Sequence, residues 1–477
     1  MTIAVFFGSK SPEHEVSIIT AQLILSELAR TNHKIVAVYI TKEGKWLVQE
    51  ADKIDQNSQI SNSSDNPQNS QNNKSKRTGL LALSTFDLEN ENWMDKSWQE
   101  WQINSTKSVG KLVLTKKNWI GSDKIEIDLV FPALHGNCGE DGAIQGLCQM
   151  FGVPIVGCDL ASSAISMNKI LSKIVAQNSG VPTAKYLSQS SLEIQNWQQN
   201  PNLKDEFINQ IEQEIGYPNF VKPPKLGSSI GISKVQNRSE LLDAIDLCLY
   251  YDDQILVETS VENLADLTCC VLQNSTGIKI KNLEKNENKS EDILEHNLEN
   301  KLENDLENEN KEKGEKGEKK FPTLLTSLVQ ESIYSKELFS FEDKYLENGG
   351  SQTGQNTQKL IIPAQIDDNI TKQIQEYSQI LFAKIGGSGI ARFDFLLNKE
   401  TGKLYFSEIN PLPGNLYRHL WKKTGVKFDQ VIEILIQTAI ENSKNPKITN
   451  FSSNLLKIAN SSKMGGKFGK GVGSKFI

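Results

Sequence analysis

The 477 residues lack a run of apolar side chains long enough to cross a bilayer, which takes roughly 20 in succession. Met1-Thr2-Ile3-Ala4-Val5-Phe6-Phe7 has no basic region ahead of its short apolar run, so it reads as a buried first strand and not as a secretory leader. Basic excess is missing as well: the net charge is -7, which gives no reason to expect a nucleic-acid partner. The six cysteines, at 138, 148, 158, 248, 269 and 270, form no CxxC pair, and several stand among apolar residues. That pattern points away from a zinc site or a disulfide frame and toward buried thiols in a reducing compartment. A cytoplasmic protein without a membrane segment is the expectation.

Also absent is the GxxxxGK[ST] phosphate loop. The chain is too long for one compact core, and its patterning is α/β. Residues 3–8 read as a strand ending at Gly8; Val16, Ile19, Leu23, Ile24 and Leu28 then recur at helical spacing, and Val36-Ala37-Val38-Tyr39-Ile40 supplies the next strand. Residues 56–77 are nearly free of apolar side chains and read as a disordered insertion. The stretch 281–320 repeats Leu-Glu-Asn and Lys-Gly-Glu units and reads as a charged low-complexity insertion, with a short solvated helix as the alternative. Past Glu441 no acid follows, and lysine and glycine dominate a tail expected to be flexible.

Chemistry concentrates in a few places. Arg392-Phe393-Asp394 is followed, fourteen residues after the Asp, by Glu408-Ile409-Asn410-Pro411-Leu412-Pro413-Gly414. Ile390, Phe393, Phe395 and Leu397, then Leu404, Phe406 and Ile409, read as two strands joined by a turn at Glu400-Thr401-Gly402-Lys403. Two carboxylates and an amide beside an arginine make a hard oxygen set of the kind magnesium takes alongside substrate phosphates. Lys222-Pro223-Pro224-Lys225-Leu226-Gly227-Ser228-Ser229-Ile230-Gly231 can bring backbone N–H groups, hydroxyls and a lysine to a phosphate, or can simply be the turn of a hairpin. Ile255-Leu256-Val257-Glu258 is a strand delivering an acid, with Asp266 opening the next. Such acids accept from an adenine or a ribose, or are solvated strand ends. His135-Gly136-Asn137-Cys138-Gly139-Glu140-Asp141-Gly142 should form a tight strand-to-helix turn, with the histidine either structural or lining a site.

Taken in order, these segments resemble the D-alanine-D-alanine ligases of the ATP-grasp superfamily, from the start to about residue 440. The resemblance implies an ATP-grasp fold, α/β (α+β), with an N-terminal α/β domain over residues 1–157, a central subdomain over 158–256, a C-terminal subdomain over 257–442 and a tail over 443–477. It implies that Glu13, in Gly8-Ser9-Lys10-Ser11-Pro12-Glu13-His14, holds the ammonium of a first D-alanine and that His135 lies near it. Lys169, in Ser166-Met167-Asn168-Lys169, together with Lys222, would meet ATP phosphates; Glu258, Thr259, Val261, Asp266 and Phe339 would surround adenine and ribose. Ser228 would be the serine of the phosphate loop, and Lys344 and Tyr345 would close over the substrates at the end of a mobile lid, with Glu13, Ser228 and Tyr345 orienting them. Arg392 and the N–H groups near Gly414 would stabilise an oxyanion, while Asp394, Glu408 and Asn410 would hold two Mg2+ (or Mn2+).

The implied reaction is ATP-dependent joining of two D-alanines through an acyl phosphate, for peptidoglycan precursors, by a homodimer. One stretch departs from the family. Asn415-Leu416-Tyr417-Arg418-His419-Leu420-Trp421 places His419 where a serine of a Ser-Leu pair ordinarily holds the carboxylate of the second substrate. D-lactate or D-serine as second substrate, or another ATP-grasp carboxylate-amine ligase, is therefore the alternative expectation.

Overall fold

The computed structural model describes residues 1–50, 98–119, 121–275, 323–333 and 359–444. The two expected insertions, the lid residues Phe339, Lys344 and Tyr345, and the tail beyond 444 lie outside these. Among the described residues no helix is long and apolar enough to cross a membrane.

The chain opens as the apolar spacing predicts. Strand Thr2–Gly8 pairs in parallel with Lys34–Ile40 and Leu129–Pro132, and helix His14–Leu28 connects the first two. Parallel pairing requires that crossover, and both faces of the first strand are covered, which explains its unbroken apolar run. Trp46–Glu50 and Gln99–Glu100 complete a five-stranded sheet, and a three-stranded sheet stands beside it.

The rest is antiparallel. Tyr186–Gln189, Asn219–Lys222, Ser233–Val235 and Ile255–Thr259 form a four-stranded sheet. Strand Ile255–Thr259 contains residue 256 and pairs with Asn219–Lys222 and Tyr186–Gln189 of this sheet. The long strand Leu264–Asn274 then pairs along its length with Ile390–Asn398 in the middle of a six-stranded sheet, and Ile390–Asn398 pairs in turn with the edge strand Leu404–Asn410. Phe7, Ile24 and Leu25 share one buried cluster with Leu272, Ile390, Leu420, Trp421 and Leu435, so the two ends of the described chain are packed on a common core. A second cluster lies beneath the six-stranded sheet and a third within the four-stranded unit.

Candidate active site

Between the sheets lies a cavity of about 440 Å3. Of the expected site residues within the described chain, all but one line it: Glu13, His135, Lys169, Lys222, Ser228, Glu258, Thr259, Val261, Asp266, Arg392, Asp394, Glu408, Asn410, Gly414 and His419. The exception is Leu420, whose side chain is fully buried in the core under the short helix Arg418–Thr424.

The metal-type donors come from the hairpin. Along Ile390–Asn398, Phe393, Phe395 and Leu397 point to the core, so strand alternation turns Arg392 and Asp394 to the cleft. On the partner strand simple alternation would carry Glu408 to the core side with Phe406. The register shifts there: Asp394 faces Glu408 while Phe395 faces Phe406, leaving Ser407 as the extra residue of a bulge. That one residue brings Glu408 and Asn410 to the cleft beside Asp394. Asp394 receives the Arg392 fork at 2.6 Å (Oδ2 from Nη2) and 3.0 Å (from Nε), and its Oδ1 accepts from Thr268 Oγ1 at 2.8 Å. Burial, with the Glu408 charge adding to it, pushes the Asp394 carboxyl up against the pull of Arg392. Among the described residues no group of three or more His, Cys, Asp or Glu is set to hold a metal. The donor set here is two carboxylates and one amide, and the mutual repulsion of those carboxylates is what a divalent cation relieves.

Lysines face this set from the opposite wall. Asn168 ends one helix and caps the next, its Oδ1 accepting from Ile170 N at 3.0 Å and Leu171 N at 3.2 Å, which fixes Lys169 as the first residue of helix Lys169–Asn178. A cation at the positive end of a helix opposes the dipole. Lys169 is held there by Glu408 Oε2 at 3.1 Å and by the Leu226 carbonyl at 2.7 Å. Lys222 Nζ stands 2.8 Å from Glu258 Oε1, and Lys173 Nζ stands 3.0 Å from Oε2. Burial works against ionisation of Glu258, but the two ammonium groups outweigh it and lower its pKa to about 2.

The end of the cleft around Glu13 and His135 is built by close backbone approach. Glu13 precedes helix His14–Leu28, is buried, and accepts from Ser228 Oγ, whose backbone is left-handed at φ 54°. Gly136, at φ +67°, passes so near that a Cβ there would lie 2.5 Å from Ser11 Oγ and 2.8 Å from Glu13 Oε2. His135 Nε2 shares a hydrogen bond with Thr20 Oγ1 at 2.8 Å, and Thr20 also accepts from Asn415 N at 3.2 Å. The first helix thereby ties the histidine to the loop after Gly414.

That loop holds Asn415, Leu416 and Tyr417 at φ 51°, 49° and 49°, three successive left-handed residues without a glycine. Tyr417 lies under Arg392, with the guanidinium carbon 5.3 Å from the ring centre and Nη1 donating to its hydroxyl at 3.4 Å. His419 Nε2 is 2.7 Å from Gln330 Oε1. Burial, helped by the Arg418 charge, lowers the His419 pKa to about 4, so at neutral pH the ring is uncharged; its one N–H is given from Nε2 to Gln330 Oε1, and Nδ1 is left as an acceptor with no proton for a carboxylate. Thr20, Lys173, Thr268, Gln330 and Tyr417 were not reached from sequence. Two of them left a signal: Thr268 follows Asp266 at strand spacing, and Lys173 follows Lys169 by one helical turn.

Two antiparallel sheets closing on a cleft, with lysines on one wall and oxygen donors on the other, define the ATP-grasp class. The chain belongs to the D-alanine-D-alanine ligase family: residues 2–158 match the model of the D-ala D-ala ligase N-terminus, and residues 175–313 and 319–437 that of its C-terminus. The D-alanine–D-alanine ligase of Caldicellulosiruptor bescii is 31% identical over 460 residues, 95% of this chain and 98% of that one. The enzyme of that name from Thermosipho melanesiensis is 30% identical over 459 residues, 96% and 99% of the two chains. Among solved structures, the VanG D-Ala:D-Ser ligase of Enterococcus faecalis aligns at a TM-score of 0.63 and 25% identity, covering 92% of this chain and 99% of its own.

Proposed function

We propose that this chain joins two D-alanines into D-alanyl-D-alanine at the expense of ATP, supplying a peptidoglycan precursor. The observation that carries the reading is the meeting, in one cleft, of the Glu13–Ser228 pair, Arg392 and the Asp394, Glu408 and Asn410 set. Glu13 accepts from the ammonium of the first D-alanine and turns its carboxylate toward the nucleotide. Lys169 and Lys222 neutralise the phosphates, and Glu258 and Asp266 accept from adenine and ribose. Asp394, Glu408 and Asn410 would hold two magnesium or manganese ions, which when bound offset phosphate charge.

A carboxylate oxygen of the first D-alanine attacks the γ-phosphorus, and ADP leaves with the electron pair of the broken P–O bond. The amine of the second D-alanine then adds to the carbonyl of the acyl phosphate. Asp394 occupies the Nε and Nη2 side of Arg392, so the Nη1 side is the one offered to the tetrahedral oxyanion, together with the N–H groups near Gly414. Collapse expels phosphate with the electron pair of the broken C–O bond, the proton released by the amine nitrogen ends on that phosphate, and the new peptide bond remains. Lys344 and Tyr345, on the expected lid, and Phe339 beside the adenine, complete the proposal, as do the three-part domain division, a homodimer and a cytoplasmic setting.

The test is phosphate release from ATP and magnesium with D-alanine, against D-serine, D-lactate and L-alanine, with the product weighed. Release with a D-alanyl-D-alanine mass supports the reading. Dependence on D-alanine with another acceptor preferred would assign the difference to residues 415–421, and no release with any pair would sink it.

A further inference from the structure

Lys173 has no part in the roles above, yet its side chain is 0% exposed. A buried ammonium is costly unless it answers another charge. One helical turn past Lys169, it lies 3.0 Å from Glu258 Oε2 and 6.0 Å from the centre of the Tyr186 ring. The other oxygen of Glu258 faces Lys222, whose side chain is 13% exposed and lines the cleft, whereas Lys173 does not reach it. Glu258 therefore has two counter-charges of unlike kind, one walled in and one opening on the nucleotide site.

We propose that Lys173 is the permanent counter-ion of Glu258, the residue that allows Lys222 to leave that carboxylate and bind a nucleotide phosphate. The proposal rests on the ATP-dependent reading and deepens it. If Lys222 were the sole partner, its departure would strand a carboxylate whose side chain is 3% exposed, and phosphate would have to outbid that penalty. With Lys173 in place Glu258 stays paired, and Lys222 exchanges one anion for another. Lys173 is thus a positioning residue: it touches no substrate and acts through Glu258 on Lys222.

The experiment compares Lys173→Met, which keeps length and apolar stem, with wild type by calorimetric Kd for ATP and by steady-state constants. Expected is an ATP Kd and KM raised about tenfold, with kcat and the KM for D-alanine within about twofold. In a Glu258→Gln background, where no carboxylate can trap Lys222, the same substitution should leave ATP affinity unchanged. An unchanged ATP Kd in the single variant, or an equal loss in both backgrounds, overturns the proposal. Should Lys173→Met fail to fold, Lys222→Met decides: it should melt within about 3 °C of wild type, because Lys173 still pairs Glu258. A larger fall would mean that Glu258 needs both ammonium groups and that Lys222 is not free to leave. Wild-type turnover measured alongside separates the two readings, since its absence strikes the activity while intact turnover with unaltered ATP affinity strikes only the role of Lys173.

Discussion

Arg392 is held at both ends of its guanidinium, by Asp394 through Nε and Nη2 and by the Tyr417 ring from below, so its planar fork matters as much as its charge. Arg392→Lys keeps the charge that Asp394 and Glu408 require but cannot make the fork. Its expected effect is a fall in kcat of about 10²-fold or more with ATP affinity nearly unchanged. Steady-state rates beside a calorimetric Kd check this, and a kcat within threefold of wild type would remove Arg392 from oxyanion stabilisation. The residue itself was legible, because an arginine two places before an acid on a strand must share its face. Tyr417 was not: a left-handed run of Asn415, Leu416 and Tyr417 has no signature in residues that ordinarily avoid that conformation.

Elements were read best where a single periodicity governed them. The strands Thr2–Gly8 and Lys34–Ile40, buried on both faces, came from unbroken apolar runs, and the helix between them from apolar spacing, since it buries one face. The hairpin was found for the same reason, but its bulge was visible only as an irregularity, the three-residue step from Phe406 to Ile409 where two was expected. Loops depend on close approach, which spacing does not report. Gly136 shows this: the sequence offers a glycine, and only the fold shows that Ser11 and Glu13 leave no room for a Cβ. Gly136→Ala must also hold a left-handed φ of +67°. The variant is expected to raise the KM for the first D-alanine by about tenfold or more, through displacement of Glu13, while leaving ATP affinity intact. Equal KM values in initial-rate assays would show that Glu13 is not fixed by this contact.

On the scale of the whole molecule, Glu258 joins three elements: helix Lys169–Asn178 through Lys173, strand Asn219–Lys222 through Lys222, and its own strand Ile255–Thr259. Sequence placed the acid at a strand end but could not show that two ammonium groups from separate elements converge on it. The convergence has a consequence for global stability. Its folded pKa, about 2, lies below the ordinary value of 4.5, so as pH falls the unfolded chain takes up the proton first. The stabilisation is complete above 4.5 and drains away between 4.5 and about 2. Other carboxylates also titrate in that window, so the useful quantity is the difference in unfolding free energy between wild type and Glu258→Gln, in which their contributions cancel. Urea titrations should show a constant difference from neutral pH down to about 5, then a decline approaching about 1.4 kcal/mol per pH unit below the unfolded pKa, because a protonated glutamate and a glutamine are nearly the same group. A difference that stayed level down to pH of about 3 would mean that Glu258 is not an ionised link between these elements.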